Sequence, residues 1–91
     1  MSNNNFPKPE YHQYSRFYVI GRDAKGRVKY YRYEGFSGDE GWAVVETSLK
    51  EIENMIPKIK VVAKEKGISG LEIIEQIVSK KVEPCVLKKI D

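Results

Sequence analysis

Residues Arg16 to Glu34 read RFYVIGRDAKGRVKYYRYE, and this stretch commits the chain to a β-sheet. Phe17-Tyr18-Val19-Ile20 and Val28-Lys29-Tyr30-Tyr31-Arg32-Tyr33 are runs of β-branched and aromatic side chains, which suit a half-buried pleated surface. Between them, Asp23-Ala24-Lys25-Gly26 offers an aspartate to open a type I turn and a glycine for the left-handed position that closes it. The two runs therefore form a β-hairpin. Two registers satisfy this pattern. With Arg22 opposite Arg27, one face carries Phe17, Val19, Val28 and Tyr30, and the other carries Tyr18, Ile20, Arg22, Arg27, Lys29, Tyr31 and Tyr33. With Asp23 opposite Arg27, through a bulge at Gly26, the faces mix differently. In either register some tyrosines stay on a basic face.

Charge concentrates in the same stretch. It holds six of the chain's 16 basic residues and five of its ten aromatics, and its net charge of +4 exceeds the +3 of the whole chain. Positive charge interleaved with tyrosine makes the hairpin the natural binding face.

Outward from the hairpin, residues 1–14 combine an asparagine run with Pro7-Lys8-Pro9 and read as a flexible tail, which Phe6, Tyr11 or Tyr14 would pin to a single domain over 15–91. On the other side, Gly35 to Gly41 holds three glycines in seven residues and reads as a loop. Trp42-Ala43-Val44-Val45-Glu46 reads as a third strand with Trp42 and Val44 on one face. Ser48-Leu49-Lys50-Glu51 is a capping box. Leu49, Ile52, Ile56, Ile59 and Ala63 then recur at helical spacing up to Lys66, with Gly67 as the stop and Pro57 predicting a kink or two shorter helices.

The segment after Gly67 fits two periods. Ser69-Gly70-Leu71-Glu72 is a second capping box, and Leu71, Ile74, Ile77 and Val78 make a helical stripe ending in Lys80-Lys81. Leu71, Ile73 and Ile77 also alternate, and the isoleucine and valine content suits a strand. The caps favour the helix over 71–79. Val62 to Gln76 resembles part of a helix-turn-helix signature, with Ala63 where two helices approach and Gly67 in the turn. Gln76 stands where that pattern wants an aliphatic residue, so an ordinary helical turn covering a sheet is the expectation. Cys85 to Ile90, after Pro84, reads as a final edge strand. The expected fold is α+β: a small antiparallel sheet of three to four strands covered on one face by two to three helices.

Catalytic material is thin. His12, the sole histidine, falls in the tail, and Cys85, the sole cysteine, reads as a small apolar strand residue. Asp39, Glu40 and Glu46 are carboxylates that could share a hard cation, yet acids in a glycine loop are ordinarily just solvated. They also spoil GFSGDEG as a phosphate cradle. No enzyme, metal, cofactor or small-molecule substrate is expected. No apolar run approaches the roughly 20 residues of a membrane span, and a single cysteine suits a reducing compartment, so the expected location is cytoplasmic. The leading expectation is a non-catalytic module contacting single-stranded nucleic acid or structured RNA through Arg22, Arg27, Lys29, Tyr31, Arg32 and Tyr33. The alternative is a protein-interaction or homodimerisation module that modulates a larger partner.

Overall fold

The computed structural model describes residues 14–78 and 82–90. Five strands, β1 (Tyr14–Arg22), β2 (Val28–Arg32), β3 (Gly35–Ser37), β4 (Ser69–Val78) and β5 (Val82–Lys89), build one antiparallel sheet in the order β3-β2-β1-β4-β5. Among the described residues a single α-helix, α1 (Leu49–Lys66), covers one face. The expected sheet of three to four strands under two to three helices is corrected on both counts. The tail expected over residues 1–14 lies, apart from Tyr14, outside the described residues, as does His12.

The hairpin takes the register with Asp23 opposite Arg27. The Asp23 N–H donates to the Arg27 carbonyl at 3.1 Å, and the Gly26 N–H donates to the Asp23 carbonyl at 2.9 Å. Gly26 has φ 78, the left-handed position reserved for it by the sequence pattern. Arg22 then faces Val28 and Ile20 faces Tyr30. Because side chains alternate, Val19 and Tyr31 point towards α1 while Tyr18, Ile20 and Tyr30 point away from it.

The largest correction is Ser69–Val78, which is strand β4 and not a second helix. It lies between β1 and β5, with Tyr18 opposite Ile74 and Val19 opposite Ile73. A strand flanked on both sides buries both faces, so Leu71 and Ile73 go under α1 while Ile74 goes to the far side. That two-sided burial placed apolar residues at 71 and 74, and the spacing imitated a helical stripe. Gly70, at φ 62, supplies the extra residue where the β1–β4 register shifts between Ile20 and Arg22. Glu72, expected to cap a helix, instead pairs with Lys89 of β5 at 3.6 Å. The helix-turn-helix resemblance falls with the second helix. Ile77, expected on the apolar stripe of that second helix, is exposed.

The expected third strand, Trp42 to Glu46, is also corrected. Glu40–Trp42 is a 3-10 turn whose first residue follows Asp39, and the Asp39 carboxylate accepts from the Gly41 N–H at 2.9 Å. Only Glu46 joins the sheet, exchanging backbone hydrogen bonds with Phe17 where β2 has already ended. The third strand of the meander is β3, inside the stretch read as a glycine loop. Trp42 and Val44 part company: Trp42 is exposed and Val44 is buried beneath α1.

Helix α1 carries Pro57 as a single element, without the expected division, and Pro57 is exposed on its outer side. Ser48 occupies the cap position but makes no side-chain capping bond, so the capping box is not formed. Gly67, at φ 72, ends the helix as expected. Ile52 and Ile59 are wholly buried against the sheet, each contributing about 1.5–3 kcal/mol by removal from water. The final strand is found at the sheet edge, as β5 beside β4.

Candidate nucleic-acid interface

The sheet presents two faces of different character. Towards α1 it is packed. Away from α1, Tyr18, Ile20 and Ile74 form a smaller buried cluster against which Val28, Tyr30 and Ala43 lean. Ala43 and the 3-10 turn lie against the side of this face, and among the described residues no helix lies over the rest of it.

The six residues singled out in the sequence divide between these surfaces. Arg22 and Arg32 share the uncovered face, Arg22 exposed at the end of β1 and Arg32 over the Trp42 ring, 4.6 Å from its centroid. Arg27 stays in the hairpin turn, where its Nε donates to the Asp23 carboxylate at 2.8 Å. Lys29 lies on the α1 side, with Nζ 4.0 Å from the same carboxylate. Tyr31 is 1% exposed and meets Phe36 edge-on at 5.6 Å, so it has no ring face to offer a base. Tyr33, two residues on, is 75% exposed at the β2–β3 turn.

Three residues that the hairpin reading did not select complete the uncovered face. Trp42 is 58% exposed with Arg32 behind it, a cation–π arrangement that leaves the indole's outer face open. Tyr30 is half-buried, 5.9 Å from Tyr18. Arg16, opposite Gln76, has a buried Nε with no hydrogen-bond partner among the described residues. The available signal for Trp42 was a lone tryptophan next to an acidic glycine loop, which strand propensity turned inward.

Electrostatics are local. The Tyr18 hydroxyl donates to the Glu40 carboxylate at 3.5 Å, and burial, ahead of the Glu40 charge and Tyr30, pushes the phenol up from 10.0 to about 12. Asp23 is held below the ordinary carboxylate range, first by the backbone N–H of Arg27. Its Oδ1 accepts the Lys25 and Arg27 N–H groups at 2.9 Å, so Asp23 is engaged in shaping the turn. Arg22 makes no ion pair among the described residues, which leaves it free to meet an anion.

Among the described residues no group of three or more His, Cys, Asp or Glu side chains could hold a metal ion, and no helix is long and apolar enough to cross a membrane. Compared with protein-family models, curated proteins and solved structures, the chain matches none.

Proposed function

We propose that this protein is a non-catalytic binding module for single-stranded nucleic acid, which it receives across the sheet face that α1 leaves uncovered. The observation that carries this reading is the exposed indole of Trp42 backed by the Arg32 guanidinium. An aromatic face open to solvent stacks on any unpaired base, and base stacking of this kind contributes about 1–3 kcal/mol. Arg22, exposed on the same face, neutralises phosphate. Duplex bases are stacked on one another and cannot use such a ring, so the ligand is single-stranded. The lone cysteine suits action in the cytoplasm.

Trp42 is the chain's only tryptophan, so its fluorescence reports on the site directly. Oligothymidylate should quench it. Read by retention on immobilised single strands, because the variant lacks the fluorophore, Trp42→Ala should weaken binding by roughly 5- to 150-fold, the equivalent of one stacked base. Arg22→Gln should flatten the logarithmic salt slope by about 0.7. Absence of quenching, with no retention of the protein on immobilised single strands at low salt, would sink the proposal.

One observation favours a second reading, a protein-interaction module. Among the described residues strand β5 is an outer edge of the sheet, and Val86 and Leu87 on it are exposed, a surface that a partner strand could extend. Pro84, Lys88 and Lys89 on that strand are the residue types that discourage edge pairing, and this places the reading second.

A further inference from the structure

Behind the β2–β3 turn, on the α1 side of the sheet, lies a groove of about 510 Å³ whose lining includes Lys29, Tyr33, Phe36, Lys66 and Ile68. Arg32 also lines it, and the Arg32 guanidinium stacks on Trp42 at the other surface. The groove and the uncovered face therefore meet at one residue. We propose that the groove is a second subsite for the same single strand, which passes from Trp42 round the β2–β3 turn and continues against Lys29 and Lys66. This inference rests on the function proposed above.

The volume falls in the range of sites that hold one small planar ligand. A base would lie against Phe36 and Ile68, which form an apolar floor, while the two ammonium groups meet the phosphates beside it. Of the two acids at the groove, Asp23 is already occupied by Arg27 and by two backbone N–H groups, and its 4.0 Å pairing with Lys29 Nζ is the contact a phosphate would replace. That leaves Glu34 as the carboxylate opposing a phosphodiester. Tyr33, 75% exposed at the turn, is the aromatic that a strand rounding the corner would meet first. The backbone there is held in an uncommon state: Glu34 has φ 58, in the left-handed region that favours glycine. Tyr33 is thereby fixed at the tip of a tight two-residue connection between Arg32 and Gly35.

Length dependence separates the two subsites. Trp42 fluorescence is followed as the full chain and the variants Lys29→Gln, Lys66→Gln and Glu34→Gln are titrated with oligothymidylates of about 3 and about 12 nucleotides. The short oligomer should bind all four proteins within about twofold, since it reaches Trp42 alone. The long oligomer should bind the unaltered chain at least about tenfold more tightly than the short one. Each lysine variant should lose about fivefold of that gain with a shallower salt slope, and Glu34→Gln should gain affinity by removing a repulsion. If both oligomers quench but the lysine variants bind the long one as the unaltered chain does, the groove is unused; the inference fails and the uncovered-face reading stands. Equal losses on both lengths would overturn it too, because the lysines would then be acting through the fold. If neither oligomer quenches, the function itself is wrong and the second subsite goes with it.

Discussion

Tyr31 and Tyr33 are separated by one residue, and truncation should be costly at the first and nearly neutral at the second. Tyr31 is 1% exposed among Phe17, Val19, Ile52 and Ile59, and its ring meets Phe36 at 68°. An aromatic side chain of this kind buries about 150–250 Å², and its edge-to-face partner adds about 0.5–1.5 kcal/mol. Truncation also leaves a cavity, so Tyr31→Ala should cost about 4 kcal/mol, within the range for large aromatic deletions. For a 91-residue domain with a total stability of roughly 5–14 kcal/mol, that is between about three-tenths and four-fifths of the whole. With a urea slope of about 2 kcal/mol per molar, the midpoint should fall by about 2 M. Tyr31→Phe keeps the ring and should stay within about 1 kcal/mol. Tyr33→Ala, at an exposed turn, should change stability by less than about 0.5 kcal/mol. Far-ultraviolet circular dichroism in a urea titration reads all three. A loss below about 1 kcal/mol for Tyr31→Ala at an unchanged slope would refute the placement of this ring in the core.

Further outcomes follow from single positions. At Gly21 an added Cβ would collide with the Ile68 side chain and come within 3.1 Å of the Ser69 carbonyl oxygen, so Gly21→Ala should cost about 1–3 kcal/mol in the same titration. Glu34→Gly removes the left-handed strain at φ 58 and should raise stability by about 1 kcal/mol, or leave it level once the greater freedom of the unfolded glycine is counted. Thermal unfolding should therefore show no decrease in midpoint. Tyr18 titrates at about 12 in the folded chain against 10.0 when unfolded. Its raised pKa contributes stability that is fully present below pH 10 and lost as pH climbs through 12. Comparing the unaltered chain with Tyr18→Phe at about pH 8 and about pH 11 should show the excess loss in the former, on the order of 1–2 kcal/mol.

Local chemistry makes the hairpin legible without any structure. Asp23 and Gly26 determine the turn within four residues, the apolar runs flank it, and no distant contact is needed to choose between helix and strand. The same holds for α1: its stripe of Ile52, Ile59 and Ala63 and its stop at Gly67 depend on spacing alone. The local concentration of charge and aromatic residues in the hairpin is likewise a property of composition. What composition leaves open is which face each residue takes. A shift of one position in pairing moves every side chain across the sheet, and that shift separated Arg22 from Tyr31 and buried a tyrosine that looked available to a ligand.

Tertiary structure decided Ser69–Val78. Its apolar residues and its serine–glutamate spacing satisfy helix and strand alike, and nothing within the segment separates the two. The choice comes from β1, whose far edge would carry unpaired backbone groups unless another strand lay along it. Once β4 fills that place, β5 can pair with its outer side, and the sheet reaches five strands. Trp42 was settled in the same non-local way: the capped turn at Asp39 lifts it off the sheet and Arg32 holds its ring from below, a meeting that depends on where β2 ends. Local sequence chose the elements whose partners lie next to them in the chain, and long-range pairing chose those whose partners do not.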